Sequence, residues 1–363
     1  MATLTAANRQ WSSRPDDERF LSLTDMEQHF RDLRYNSASK VVSSRQIEAV
    51  PVDAKSLAIV GPNGNAAAPT HWSFGQLAQL AGAPAGYLRG LPAPIAADCI
   101  NYGLKFDRDI EDVGLLLTRT GDENAPLTVR AATGPRYGRV WNSDVVGALV
   151  DRFGDGVTGD WRVPGEFGRR VHVTKANTTL FAGDRDMFVF LADEERRIEL
   201  PNRRNGKAGS LARGAFFWNS EVGGGTLGCA TFLFDYVCSN RIVWGAAEYK
   251  EIRLRHTAGA PDKWLEQVRP AIQRYAEGSA NTVTQAIEDA RAHRLDGEEL
   301  DSFLAERFGA RSVAALKAVH EAEENRPIES RWDVVVAATA QARNIPWQDE
   351  RVALERKAGD LLR

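Results

Sequence analysis

The sequence predicts an α+β fold: a central antiparallel β-sheet with flanking helices and a C-terminal helical subdomain. Three observations carry that expectation. Period-two alternation and continuous apolar runs crowd the middle of the chain, as in half-buried and fully buried strands. Apolar side chains at four-residue spacing take over from about Pro261. The length of 363 residues, 43% of them apolar, is enough for one large body or two ordinary domains and too apolar for a disordered chain. The expected division is a mixed helix/strand region over 1–110, the central sheet domain over 111–260, and the helical subdomain over 261–363.

The elements follow in order. Thr24 and Glu27 have the spacing of a capping box and open a helix that runs to about Tyr35. Val41 to Val52 and Ser56 to Val60 read as short strands, with a turn at Gly61-Pro62-Asn63-Gly64. Ser73 and Gln76 repeat the capping pattern before a helix that Gly82 ends, and Pro84 to Leu91 adds a helical turn. Leu115 to Thr118 and Leu127 to Ala131 read as the first strands of the central sheet. Asn142 or Ser143 caps a helix that Gly154 stops. Arg170 to Lys175 alternates as a strand, and Met187 to Leu191 is an apolar run. Ala212 to Asn219 and Leu227 to Cys238 form a hairpin about Glu221 to Gly225, where glycines permit the bend. Ile252 and Leu254 alternate with Glu251, Arg253 and Arg255. Helices follow around Trp264 to Ile272, Ala315 to Ala322, Val334 to Ala342 and Val352 to Leu362.

Charge is uneven along the chain. The net −3 divides into about −3 over 1–160, about +4 over 161–260 and about −4 over 261–363. Any anion-binding face is therefore expected on the middle sheet. Three scattered cysteines suit a reducing interior rather than a disulfide scaffold. The first twenty residues hold no apolar core of a signal peptide, and the longest low-charge run is broken by glycines. A cytoplasmic protein without a membrane span is the expectation.

Several patterns carry a sharp and a bland reading. Cys229 and Cys238 fall on opposite faces of one strand, so they cannot share a metal, and each suits an apolar core. No C-x-x-C or H-E-x-x-H run occurs, and no metal or cofactor is expected. Gly61 to Gly64 lacks the Gly-Lys-Ser/Thr ending of a phosphate loop. Thr70 to Leu88 resembles a helix-turn-helix, but its second helix carries one positive charge, so a structural helix pair is preferred.

The most informative constellation is the basic and aromatic middle. Arg203, Arg204, Lys207, Arg213, Arg241, Lys250, Arg253 and Arg255 are candidates for holding phosphates. Trp218 and Trp244 are candidates for stacking on bases, because single strands are held by basic grooves lined with aromatic platforms. The bland alternative is an aromatic core with a solvated arginine rim.

Five segments, taken together, resemble phage/plasmid-like proteins of the domain of unknown function 932 family. They are Gln10 to Phe20, Arg136-Tyr137-Gly138-Arg139-Val140, Asn219-Ser220 before a glycine-rich bend, Val237-Cys238-Ser239-Asn240 and Arg255-His256-Thr257. The resemblance extends from about residue 10 to the C-terminus and marks Tyr137, Asn219, Ser220, Cys238, Asn240 and His256. Two departures stand out. Asn219-Ser220 leads into Glu-Val-Gly-Gly-Gly where the family often has His-Asp-Gly-Ser, and Ser239 stands where Gln is common. The resemblance implies a mobile-element protein and no established reaction. A looser similarity of layout links the Tyr137-to-strand order to single-strand annealing recombinases.

The expected function is a mobile-element protein that binds single-stranded nucleic acid, accessory to replication or recombination and non-catalytic. Single-stranded nucleic acid is the first expected partner, and a homo-oligomer the second. The alternatives are an enzyme built on Cys238, His256 and Asn219, or a protein–protein module presenting the acidic C-terminal helices.

Overall fold

Ser22 starts the first helix, α1 (Leu23–Tyr35): its hydroxyl accepts the Asp25 N–H at 3.0 Å. The cap thus lies two residues before the expected Thr24, whose own hydroxyl bonds Ser22 at 2.9 Å. The computed structural model describes residues 14–106, 112–119, 125–164, 172–203, 207–235, 241–244, 251–278, 280–345 and 348–362.

Two sheets organise the chain. The first contains β1 (Ser37–Ser43), β2 (Glu48–Pro51), β3 (Leu57–Val60) and β4 (Ala66–Pro69). Helices α2 (His71–Leu80), α3 (Ala85–Leu88) and α4 (Ala93–Lys105) follow, and then β5 (Asp112–Arg119) and β6 (Leu127–Thr133) return to the sheet. Its order is β1-β5-β6-β4-β3-β2, antiparallel except for the β4–β6 pair. A parallel pair needs a long crossover, and the helices supply it. Thr70 rather than Ser73 caps α2, accepting the Ser73 N–H at 3.1 Å. The Ser73 hydroxyl is drawn instead to the Val129 carbonyl at 2.5 Å.

This arrangement changes one expectation. The strands at 112–133 do not open the central sheet; they complete the first one. Val113, Leu115 and Val129 form one apolar face and pack on Leu77, Ile100 and Leu104 of the helices. The opposite face places Leu116 and Ala131 against Val222 of the second sheet. Both faces of β5 are therefore buried, which explains its nearly unbroken apolar sequence.

Helix α5 (Asn142–Phe153) leads to the second sheet. Its strands are β7 (Trp161–Arg162), β8 (Leu180–Ala182), β9 (Met187–Asp193), β10 (Ile198–Arg203), β11 (Lys207–Asn219), β12 (Leu227–Asp235), β13 (Arg241–Trp244) and β14 (Ile252–Leu254). The main path is β13-β12-β11-β9-β7, and β10, β14 and β8 extend the ladders of β11, β12 and β9. The predicted hairpin is present, with Trp218 opposite Gly228. One face of the sheet packs Val189, Leu191, Ala215 and Phe217 onto α1 and α5. The expected strand at 170–175 does not form over its described part. Residues 172–175 are irregular, because the Asn177 side chain takes the Thr174 N–H at 2.7 Å into a local turn.

The C-terminal part is helical, as expected. Helix α6 (Ala260–Lys263) passes through a π-turn at Trp264–Val268 into α7 (Arg269–Glu277). The remaining helices are α8 (Asn281–Ala292), α9 (Gly297–Phe308), α10 (Val313–Glu324), α11 (Arg331–Arg343) and α12 (Gln348–Asp360). Helix α11 is buried along nearly its whole length, with Trp332, Val335 and Ala338 in one core with Ile198, Leu211 and Leu233 of the sheet. The molecule is thus an α+β body, with sheets of mainly antiparallel strands and a helical C-terminal part. Among the described residues no helix is long and apolar enough to cross a membrane.

Candidate functional site at the junction of the two sheets

Three of the segments marked by the resemblance meet at one place, while the described part of the first, residues 14–20, lies against β8 and β9 instead. Residues 134–141 carry the chain from β6 to α5, residues 219–226 turn from β11 to β12, and residues 255–257 follow β14. Gly138 and His256 exchange a backbone bond, Gly138 N to His256 O at 3.1 Å. The His256 Nδ1 also lies 3.0 Å from the Gly138 carbonyl, so that nitrogen carries the proton toward it. A side chain at Gly138 has no room: a Cβ there would lie 1.8 Å from the Thr257 oxygen. Tyr137 stacks on His256 with ring centres 4.9 Å apart, and its hydroxyl donates to the Ser220 carbonyl at 2.7 Å.

The turn is held from every side. The Asn219 amide donates to the Val140 carbonyl at 2.9 Å and to the Asn142 side-chain oxygen at 2.7 Å. One Glu221 carboxylate oxygen accepts Arg130 Nη2 at 2.6 Å, and the other accepts the Asn142 N–H at 2.8 Å. That second bond caps α5. The cap predicted on Asn142 or Ser143 comes instead from a carboxylate 79 residues away. A negative group at a helix N-terminus also suits the helix dipole. The Val222 carbonyl accepts from Trp72 Nε1 at 3.1 Å and Gln76 Nε2 at 2.8 Å. Gly223 has φ +87°, a backbone conformation that favours glycine, and the Ser220 hydroxyl accepts the Gly224 N–H at 2.7 Å.

Electrostatics at the junction follow from burial. Burial holds the His256 pKa below the ordinary value; the bond to Gly138 opposes this and the Arg139 charge adds to it. Burial likewise pushes the Tyr137 phenol well up. His256 Nε2 is buried without a hydrogen-bond partner among the described residues. The Arg139 guanidinium lies over both Tyr137 and Trp141, 5.4 and 5.5 Å from the ring centres. Outside this set stand Arg136 and Arg255, both exposed. Arg185 is also exposed, stacks over Trp72 at 4.7 Å and reaches the Gly224 carbonyl at 3.4 Å. Beside the junction a cleft of about 580 Å³ opens between the sheets, lined by His29, Thr118, Thr128, Arg130 and Asp184.

The residues expected to hold nucleic acid do not converge. Arg213 is fully buried, and its guanidinium donates to the Gly278 and Tyr275 carbonyls at 2.6 and 2.9 Å. It closes the C-terminus of α7, a common use of a cation at a helix end, and is not a phosphate ligand. Trp218 is also buried; it stacks on Phe216 at 4.9 Å and donates to Thr226 Oγ1 at 3.2 Å. It belongs to an aromatic row on the sheet and offers no face to a base. Arg253 is exposed and paired with Glu251.

For Arg203, Lys207, Arg241 and Trp244 the backbone alone is described: Arg203 pairs with Lys207, Arg241 with Asp235 and Trp244 with Phe232. Arg253 pairs with Gly228 beside Trp218, at the other end of β11 from Lys207. Eleven residues of strand separate those ends by roughly 36 Å. Arg204, Cys238, Asn240 and Lys250 lie outside the described residues.

Two expected members of a Cys/His/Asn site can be located. His256 is at the junction, but Asn219 is buried and its amide nitrogen is spent on structural bonds, while its Oδ1 has no hydrogen-bond partner among the described residues. Among the described residues, no group of three or more His, Cys, Asp or Glu side chains stands close enough together to hold a metal ion. Sequence reasoning missed Trp72, Arg130, Arg185 and Glu221. Of these, Glu221 alone carried a signal, as the acid inside the glycine-rich bend.

A family model described as Domain of unknown function (DUF932) matches residues 136–359. The match begins at Arg136, so it takes in α5, the second sheet and the C-terminal helices, and leaves out the first sheet and the Gln10 to Phe20 segment. No curated protein and no solved structure matches the chain significantly.

Proposed function

The chain belongs to the DUF932 family, and from that premise and the junction geometry we propose that it binds single-stranded nucleic acid without catalysing a reaction. Its role on this reading is accessory to replication or recombination on a phage, plasmid or integrated element, in the cytoplasm. One observation carries the proposal: the exposed Arg136 and Arg255 adjoin in the chain the stacked Tyr137 and His256, and the exposed Arg185 lies over Trp72 and reaches the glycine bend. Among the described residues Arg136 and Arg255 form no ion pair. Exposed guanidinium groups suit phosphates, and partly exposed aromatic side chains beside them can add contact to an unstacked base. Of the three glycines in the bend, Gly225 has open space around its α-carbon, so a strand can approach the backbone there without side-chain interference.

The residue set differs from the one read in the sequence, since Arg213 and Trp218 serve the fold. Fluorescence anisotropy with a labelled oligonucleotide tests the proposal. Binding is expected at low salt, weaker at higher salt, and largely lost in an Arg136→Glu/Arg255→Glu variant with unchanged melting behaviour. Absent binding at low salt, indifference to salt, or full affinity in the double variant would each overturn it.

A further inference from the structure

Helix α4 keeps one apolar face out of the core. Ile95, Cys99 and Tyr102 of the helix and Phe106, its C-cap, follow at intervals of four, three and four, the spacing of a two-helix seam. Ile95, Tyr102 and Phe106 are 51%, 62% and 77% exposed, and Cys99 between them is partly buried against the core of the first sheet. The inward face of the same helix is a separate set, with Ala96, Ala97, Ile100 and Leu104 buried against the first sheet. Single exposed apolar side chains need no explanation, but a row along one helix face does.

The charges beside the row select its occupant. At about 100° per residue, Asp98 and Lys105 lie on the same flank of the stripe. Ala96 and Gly103 lie on the other flank and are buried in the chain's own body. Laid antiparallel about a two-fold axis, a second copy brings the same flanks together. Ile95 then stands level with Phe106 of the second copy, and Cys99 with its Tyr102. Asp98 meets Lys105 of the second copy, and the symmetry makes that pair twice. A parallel arrangement would set the charged flank against the buried one and satisfy neither charge. Lys105, partly buried, reaches the exposed Glu48 within its own chain only at 3.9 Å, a long pair that costs little to exchange.

We propose that α4 is the two-fold seam of a homodimer of this chain, closed by the Ile95–Cys99–Tyr102–Phe106 row and two Asp98–Lys105 pairs. The inference does not depend on the nucleic-acid reading. A 13-residue helix is about 20 Å long, and one seam of that length buries less than the roughly 800 Å² per partner of a standard interface. The dimer is therefore expected to dissociate on dilution.

Sedimentation velocity over a wide concentration series, without nucleic acid, tests the seam. The wild-type chain is expected to pass from monomer to dimer as concentration rises. Phe106→Glu should stay monomeric with an unchanged melting temperature, since the side chain is exposed. Asp98→Lys should weaken association about tenfold, and adding Lys105→Asp should restore it. A wild-type chain that stays monomeric, a Phe106→Glu variant that still dimerises, or a charge swap no tighter than Asp98→Lys would overturn the proposal.

Discussion

Glu221 Oε1 accepts a hydrogen bond from Arg130 Nη2 at 2.6 Å, across the junction between the two sheets. Both side chains are more than nine-tenths buried. The same carboxylate caps α5 through the Asn142 N–H. One side chain thus ties the first sheet, the second sheet and the helix between them. A buried pair adds less than its Coulomb energy suggests, because both ions are desolvated, but removing one partner strands the other. Glu221→Ala is expected to cost about 3–5 kcal/mol of stability, read by urea denaturation. A loss below about 1 kcal/mol would show that the pair is not what ties the sheets together.

Arg213 and Arg255 separate the structural arginine from the surface one. Arg213→Met leaves the Tyr275 and Gly278 carbonyls without their guanidinium donor, at about 1–3 kcal/mol each. Arg255→Met removes an exposed side chain and should leave the melting temperature unchanged. Oligonucleotide affinity should move the other way, falling in Arg255→Met. Equal melting temperatures for the two variants would contradict the burial of Arg213.

His256 gives the junction a pH dependence. Burial, with the Arg139 charge, keeps its folded pKa below the ordinary 6.5. Below about pH 6.5 the unfolded chain takes up a proton that the folded chain resists, so stability falls with pH until the folded pKa is passed. His29 is shifted in the same direction, burial again the main cause, and contributes its own share. His256→Gln should therefore flatten part of the decline between pH 7 and the folded pKa, as followed by denaturation at a series of pH values. Parallel curves for the variant and the wild type would remove His256 from the account.

Asp333 acts on the acid side. Burial works to raise its pKa, but the His320 ring 3.6 Å away, the hydrogen bonds and charge of Arg326 and the Glu329 N–H outweigh it and hold the carboxyl below the ordinary 3.8. The group therefore contributes stability above the unfolded pKa and loses it as pH falls through the folded value. Asp333→Asn should be less stable than wild type at pH 7, with the gap closing on acidification. A gap that persists at the acid end would assign the loss to the Ser330 and Glu329 bonds rather than to charge.

The sequence by itself determined the fold class, most elements, and the hairpin at Glu221 to Gly225, because strand and helix periods and glycine bends are local properties. It also marked Tyr137, Asn219, Ser220 and His256, which meet at one junction. Only the tertiary structure decided which sheet the strands at 112–133 join, since either sheet could bury a two-faced apolar strand. It also decided which arginines face solvent. Arg213 and Arg255 look alike in a charge count, yet one is drawn to the end of a helix and the other stays exposed. Alternation cannot tell them apart, because the helix that Arg213 closes lies some sixty residues further along the chain.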